Sequence, residues 1–195
     1  MRTTLKTIKI FLFLTVLTGI IYPLLVTGIA QVAFPDKANG SLITDNHKII
    51  GSILIGQSFD SAIYFSSRPS AVRYNPLPSG GTNYGLTNAL LREQVENRRQ
   101  QFITFNQLDR TTEVPSEMVF ASASGLDPHI SPRAALLQVN RIANARNYNN
   151  EQKTKLIECI DSLTASAQFS FLGKERINVL LLNLELEKIS STLKQ

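Results

Sequence analysis

Cysteine, histidine, methionine and tryptophan are scarce in this chain. Its 195 residues include one cysteine, two histidines, two methionines and no tryptophan. A disulfide needs two thiols, so none can form within one chain. Two histidines, without further ligands at metal-site spacing, give no support for a zinc site. We therefore expect no resident metal, and we expect the single cysteine, Cys159, to be a small buried residue in a helix.

Charge is also scarce, and one long run has none. Charged residues make up 18% of the chain, against about 25% in typical soluble domains. Residues 10–34, IFLFLTVLTGIIYPLLVTGIAQVAF, are uncharged. A helix of about 20 apolar residues crosses a bilayer core, so we predict a transmembrane helix at 10–34. The alternatives are a cleaved signal peptide, whose apolar stretch spans only about 7–15 residues, and a buried core helix.

The charges beside this run predict its orientation. They are Arg2, Lys6 and Lys9 before the run and Asp36 and Lys37 after it. Basic flanks stay on the cytoplasmic side of a membrane, so we predict a cytoplasmic segment at 1–9 and an extracytoplasmic domain at 35–195. The first nine residues hold three of the five net positive charges. The remainder has no basic stripe with interleaved aromatic residues, so we expect no nucleic-acid partner.

One face of the predicted transmembrane helix favours contact with another helix. Thr15, Gly19 and Tyr22 fall on one helical stripe. Thr15 and Gly19 form a small-xxx-small pair, which lets two helices approach closely. Pro23 removes one backbone hydrogen bond, for which a neighbouring helix can compensate. We predict packing against a partner helix through this stripe, with a plain lipid anchor as the alternative.

The segment GSILIGQS, residues 51–58, comes close to a phosphate-binding loop. Gly51, Gly56 and Ser58 match the pattern, but Gln57 stands where the lysine belongs. That lysine neutralises the outer phosphates, and the β-branched isoleucines between the glycines favour an extended backbone over a curled cradle. We interpret the segment as a strand over about 48–55 followed by a turn at Gly56.

Two further motifs allow either a chemical or a structural interpretation. In PSGGTN, residues 78–83, paired glycines could present N–H groups to an anion, but they more often make a tight turn. In GLDPHIS, Asp127 and His129 could form an acid–base pair or half a metal site next to Ser131. A structural role is favoured for both. Arg68 and Arg73 could hold a carboxylate or phosphate, although solvated or internally paired arginines are commoner.

The periodicity predicts a mixed α/β (α+β) domain after the transmembrane helix. Short strands are predicted at 62–69 and 168–173, and residues 118–125 suit either a strand or an extended approach. Helices are predicted after Thr87 as N-cap, after Ser131 as N-cap with Pro132 at the first position, and at 150–165 after an asparagine cap. Residues 177–189 suit either a helix capped by Asn178 or a strand, and we favour the helix.

Long motifs resemble one known family, the C subunit of the bacterial Kdp potassium-importing ATPase. They are GSILIGQSF, YFSSRPSAVRYN, SGGTNYGLTN, VPSEMVFASASGLDPHISPRAALLQVNRIANAR and FLGKERINVLLLNLEL. They occur in the family's order and cover most of the chain. Departures are small: Thr82 and Tyr84 stand where Ser and Leu are usual, and Met118 and Phe120 where Leu and Thr are common.

The resemblance implies a single-span accessory subunit with no catalysis of its own. Such a subunit joins a channel-like potassium-binding subunit and a P-type ATPase subunit in the bacterial inner membrane. It is needed for assembly and acts as a catalytic chaperone that raises the affinity for ATP, while ATP and potassium are handled by the complex. The implied nucleotide or subunit contacts are Gln57, Ser79, Gly80, Gly81 and Asn83.

The predicted orientation conflicts with direct ATP contact. ATP lies in the cytoplasm, whereas the flanking charges place residues 35–195 outside. Coupling between distant sites remains possible if both bias one conformational equilibrium. A structural and regulatory subunit is therefore the leading hypothesis. A nucleotide-binding subunit is the alternative, and a membrane-anchored surface hydrolase is a third.

Overall fold

The computed structural model describes residues 2–45 and 47–192, the last two as backbone only. These residues form two compact units, one ending at Ser52 and the other starting at Ile53. The fold is a mixture of helices and small antiparallel sheets together with one long apolar N-terminal helix. The predicted fold class is therefore confirmed. Residues 1, 46 and 193–195 of the predicted ranges lie outside the described residues.

The first unit begins with an apolar helix. Helix α1 (Arg2–Val16), a π-helical turn (Leu17–Ile21) and helix α2 (Tyr22–Ala33) follow one another without a break. By length and composition this helix can cross a membrane, and it is the one such helix in the part of the chain that the structure describes.

The π-helical turn lies directly before Pro23. The N–H of Tyr22 donates to the carbonyl oxygen of Leu17, five residues earlier. Proline has no N–H, and its ring clashes with the carbonyl four residues before it, which belongs to Gly19. A wider turn relieves this clash. π-helix is rare, and it occurs mostly as single turns of this kind inside α-helices.

A short helix and a hairpin complete the first unit. Helix α3 (Pro35–Ala38) leads to strands β1 (Leu42–Asp45) and β2 (Lys48–Ser52), which pair antiparallel. The strand predicted at 48–55 is thus present but ends at Ser52. The Ser52 hydroxyl donates to the carbonyl of Gly40 at 2.6 Å, which ties the end of β2 to the turn before β1.

The second unit is a helical core with one two-residue ladder. Its elements are α4 (Ala89–Phe105), a 3₁₀ turn (Ser116–Met118), β3 (His129–Ile130), α5 (Pro132–Leu136), α6 (Val139–Ala145), α7 (Asn150–Ser162), β4 (Ile177–Asn178) and α8 (Val179–Thr192). β3 and β4 pair antiparallel. The fully buried core side chains include Phe65, Ile130, Ile142, Leu156, Ile160, Ile177, Leu182 and Leu186. Cys159 is half-buried in α7 and packs against this core.

The helix ends follow the capping signals closely. Ser131 caps α5 by accepting from the N–H of Ala134, and Asn149 forms a capping box with Gln152 at the start of α7. The N-cap of α4 is Asn88, not the predicted Thr87. Residues 177–189 contain both elements that the sequence allowed. The first two residues pair as β4, and the Asn178 side chain then accepts from the N–H of Leu181 to start α8.

The strand predicted at 62–69 is absent, because side chains replace its partner strand. The Asn183 side chain binds both backbone groups of Phe65, at 2.8 and 3.0 Å. Gln138 does the same for Ser66, at 2.7 and 3.4 Å. Buried amides thus satisfy this extended backbone, as a ladder would. We call residues 62–66 the clamped segment.

Two arginines also donate hydrogen bonds to the backbone of the clamped segment. Arg146 Nε donates to the carbonyl of Ile63 at 2.7 Å, and Arg141 Nη1 to that of Ala62 at 2.5 Å. Arg141 is buried, and its guanidinium lies 4.4 Å from the centre of the Phe105 ring. Burial lowers the pKa of Arg141 to about 10. Its hydrogen bonds to backbone carbonyls and side-chain amides stabilise this buried cation.

The described chain has no strand at 118–125, where the sequence allows a strand or an extended approach, and none at 168–173, where a strand is predicted. The first range starts in the 3₁₀ turn and continues through bends, because its backbone groups bond within turns or to other loops. The second is a tight turn with one isolated bridge, between Gln168 and Leu172. Phe169 and Ser170 have φ of 52° and 66° there, so the chain reverses too sharply for a strand.

Candidate functional site

Four loops of the second unit meet at the place where the predicted site residues lie. We call this region, residues 53–60, 66–75, 78–83 and 119–131, the loop junction. Backbone hydrogen bonds hold it together. Gly56 N–H donates to the carbonyl of Leu126 at 2.7 Å, and Gly80 N–H to that of Ser124 at 2.9 Å. The motifs around Gln57 and Gly80 therefore contact the same loop, 119–131, which the sequence could not show.

Two glycines make this close packing possible. A Cβ on Gly56 would lie 2.8 Å from the carbonyl oxygen of Asp127 and 2.9 Å from the Tyr74 ring. A Cβ on Gly125 would lie 2.5 Å from Val72 Cγ2, and this glycine has a φ of 71°. Neither position can accept a side chain without displacing a neighbour. The two glycines therefore allow the loops to pack closely against one another.

The near-match to a phosphate loop has a structural explanation. A phosphate loop directs several free N–H groups at its ligand. Here the N–H of Gly56 is bonded to Leu126, and the backbone carbonyl of Gln57 accepts from the Ser67 hydroxyl at 2.7 Å. Ser58 donates to the carboxylate of Asp60. The turn predicted at Gly56 lies earlier, at residues 53–54, and the hydrogen bonds of Gly56 and Gln57 join the segment after it to neighbouring loops.

The glycine pair of PSGGTN lies at the outer edge of the junction. Ser79 is exposed, while Gly80 and Gly81 are half-buried against 122–124. Asn83 is exposed and has a φ of 56°, a conformation that asparagine tolerates better than most residues. The turn in this segment lies at residues 77–78 and not at the glycine pair, and the N–H of Gly80 donates to loop 119–131 instead.

Asp127 is the charged centre of the junction. Its Oδ2 lies 2.5 Å from Arg68 Nη1. Its Oδ1 accepts from the His129 backbone N–H at 3.0 Å and lies 3.1 Å from His129 Nδ1. Burial disfavours the charged carboxylate, but the hydrogen bonds from His129 and the Arg68 charge outweigh it, so the pKa of Asp127 lies below its usual value. Oδ2 thus joins loop 119–131 to loop 66–75, while Oδ1 is engaged within its own loop.

Ser131 lies between the Asp127–His129 pair and helix α5. Its hydroxyl caps the helix, and its N–H donates to Glu117 Oε1 at 3.2 Å. The structure brings Asp127 and His129 together as the sequence suggested. Within residues 2–45 and 47–192 there is no group of three or more His, Cys, Asp or Glu side chains suited to a metal ion.

Loop 66–75 is rigid and strained. Arg73 and Tyr74 both have left-handed backbone, with φ of 54° and 60°. The Ser70 hydroxyl accepts from the N–H groups of Val72 and Tyr74, and the Tyr74 hydroxyl donates to the carbonyl of Arg68. Burial raises the pKa of Tyr74 to about 12. These bonds hold the loop in one shape, and strained loops of this kind cluster at binding sites.

A groove separates this loop from α4. It has a volume of about 1080 Å³ and is lined by Arg68, Arg73 and Arg98 together with aromatic side chains. The sequence singled out Arg68 and Arg73 but gave no sign of Arg98, whose side chain reaches the groove from α4. We call this feature the arginine groove.

In the first unit, the predicted packing stripe is fully exposed. Thr15 donates its hydroxyl to the carbonyl of Phe11 at 2.9 Å, so this polar group is satisfied within the helix. Gly19 has open space where a Cβ would be, and Tyr22 is exposed at the end of the π-helical turn. The stripe is therefore open to contact with another helix, and the Thr15 hydroxyl already has a hydrogen-bond acceptor within its own helix.

Comparison with known proteins gives matches over almost the whole chain. The family model described as KdpC, K⁺-transporting ATPase c chain, matches residues 4–188. The potassium-transporting ATPase KdpC subunit of Geotalea uraniireducens is 47% identical over 187 residues, covering 94% of this chain and 96% of the relative. That of Caldanaerobacter subterraneus subsp. tengcongensis is 44% identical over 181 residues, covering 93% and 92%. That of Bacillus cereus is 44% identical over 183 residues, covering 93% of each chain.

Proposed function

The chain belongs to the KdpC family of K⁺-transporting ATPase subunits, and we propose that within this complex it is a non-catalytic subunit required for assembly. Its helix 2–33 anchors it in the bacterial inner membrane with the N-terminus in the cytoplasm. The second unit lies outside. Its partners are a channel-like potassium-binding subunit and a P-type ATPase subunit.

The hydrogen bonding of the loop junction supports an assembly role over direct nucleotide binding. The N–H groups of Gly56 and Gly80, which a phosphate would need, donate to carbonyls of loop 119–131. Asp127 is held by Arg68 and His129, so it is not poised as a catalytic base for a surface hydrolase. These bonds instead make a rigid surface on which other subunits can dock.

A topology experiment tests the orientation. Cys159 is half-buried, and burial raises the pKa of its thiol, so it is a poor labelling site. We would replace it by serine and introduce Leu86→Cys, at a side chain that is 89% exposed. A membrane-impermeant maleimide should label this cysteine in intact cells. A Thr3→Cys control should label only after lysis, and the reverse pattern would contradict the proposal.

We also propose that the chain acts as a catalytic chaperone from a distance. It would raise the affinity of the ATPase subunit for ATP by favouring one conformation of the whole complex, a coupling of about 1–3 kcal/mol. Removing the chain from the complex, or changing Gln57 or Ser79 to alanine, should then raise KM for ATP. A photoreactive ATP analogue should label the ATPase subunit and not this chain. Labelling of this chain would favour the nucleotide-binding alternative.

A further inference from the structure

The arginine groove carries more positive than negative charge, because three arginines and a single carboxylate line it. Arg73 is exposed at its edge and has no hydrogen-bond or ion-pair partner among the described residues. Arg98 donates to the carbonyl of Val119 at 3.1 Å but forms no ion pair in the described chain. Burial alone lowers the pKa of Arg98, with no contribution from a carboxylate. Arg68 is paired with Asp127, yet its Nε is buried without a partner.

The rest of the lining suits a polypeptide. Phe59, Phe102 and Phe105 provide apolar surface, while the side-chain amides of Asn97 and Gln101 can each donate and accept hydrogen bonds. Asp60 lies among the lining residues as a single acidic group, so the groove is not a uniformly cationic phosphate site. A peptide backbone needs both donors and acceptors, and this lining has both.

The length of the arginine groove also suits a short peptide. On α4 the lining residues run from Asn97 to Phe105, a distance of about 12 Å at 1.5 Å per residue. An extended chain covers about 3.3 Å per residue, so roughly four residues fit along the groove. A flat membrane surface cannot reach into a concave groove.

We propose that the arginine groove binds a short extended segment, bearing aspartate or glutamate, of another subunit of the same complex. The proposal rests on the proposed function, because it requires that complex. A carboxylate on the segment meets Arg73 and Arg98, and its apolar neighbours meet the phenylalanines. The backbone of loop 66–75 needs no rearrangement, since hydrogen bonds already hold it on either side of Arg73.

Site-specific crosslinking in the assembled complex tests this directly. A photoreactive phenylalanine at position 97 should crosslink to a partner-subunit peptide that has an acidic residue within a few positions. The same probe at Arg92, which is exposed on α4 and does not line the groove, is the matched control and should not capture that peptide. Crosslinks to phospholipid, to this chain itself or to nothing would overturn the proposal. A loss of the crosslink from position 97 when ATP is added would also overturn the proposal.

Charge reversal supplies the second measurement. Arg73→Glu should lower the crosslink yield by about tenfold, equivalent to about 1.4 kcal/mol, while Arg92→Glu leaves it unchanged. Arg98→Gln tests the second cation without reversing its charge, and thermal denaturation of each variant checks its fold. If the complex assembles but Arg73→Glu has no effect, the groove proposal fails alone. If no complex assembles around the unmodified chain, the proposed function fails.

Discussion

At the scale of single residues, the loop junction depends on glycines that leave space and on one carboxylate that joins loops. Gly56 and Gly125 each bring a backbone within contact distance of another loop. Asp127 then holds Arg68 on one oxygen and His129 on the other. The motifs that look chemical in the sequence therefore contribute mainly to the shape of the junction.

Replacing Gly125 by alanine should destabilise the second unit. The new Cβ would meet Val72 Cγ2 at 2.5 Å and hold a φ of 71°, which together cost about 1–3 kcal/mol. Chemical denaturation of the full chain in detergent measures this. Gly85→Ala is the control, because nothing lies near its Cβ position. Equal stability of both variants would contradict the packing role of Gly125.

Acid should weaken the junction through Asp127. Its pKa lies below its usual value when folded, and the unfolded value is about 3.9. The carboxylate therefore contributes stability that is fully present above about pH 4 and is lost as the pH falls through the folded pKa. Asp127→Asn should lower stability at neutral pH and flatten its decline in acid. If the stability of Asp127→Asn declines in acid as steeply as that of the unmodified chain, a group other than Asp127 causes the decline.

At the scale of elements, the sequence predicted helices better than strands, and the reason is physical. Helix signals are local: Ser131, Asn149 and Asn178 each bond to backbone groups within three residues. The clamped segment looks like a strand because its backbone is extended. Its partners, however, are side chains as far as 118 residues away in sequence. No local pattern reports such a partner.

For the same reason, the sequence indicated only two of the three arginines that line the arginine groove. Arg68 and Arg73 stand out in the sequence because they are close together. Arg98 lies on α4 and joins them only through the tertiary fold. The resemblance to the family, by contrast, was confirmed over most of the chain. Long motifs in a fixed order identify a family even where the local propensity for helix or strand gives a wrong prediction.

Replacing Asn183 by leucine tests the clamped segment as an element. The variant leaves the N–H and carbonyl of Phe65 buried without partners, and each unsatisfied group costs about 1–3 kcal/mol. We expect a loss of unfolding free energy of about 2–5 kcal/mol. Asn144→Leu, at an exposed position of α6, should change stability by less than about 0.5 kcal/mol. Similar losses in both variants would count against the clamp.

At the scale of the whole molecule, the long apolar helix and the second unit have different tasks. No residue of the helix's apolar window is buried within the described chain, so a bilayer or other helices must cover it. The second unit has its own buried core and a rigid surface of loops. Membership of the KdpC family places both within one potassium-transporting ATPase.

Gly19→Leu should weaken recovery of the complex. A leucine would fill the open space beside Thr15 and keep a neighbouring helix at a distance. Co-purification in mild detergent measures the recovered partner subunits. Gly28→Leu is a close control, since Gly28 also has open space and lies beyond the π-helical turn, roughly on the opposite face of the helix. Full recovery with Gly19→Leu would show that this face does not pack on a partner.

The clamped segment also constrains when the second unit can mature during synthesis. Phe65 leaves the ribosome 118 residues before Asn183, a delay of roughly 6–24 s at about 5–20 residues per second. Until then the nascent chain lacks the amide that completes its core. If the second unit is exported, as proposed, this delay would keep the chain threadable through a secretion channel until nearly all of it has been made.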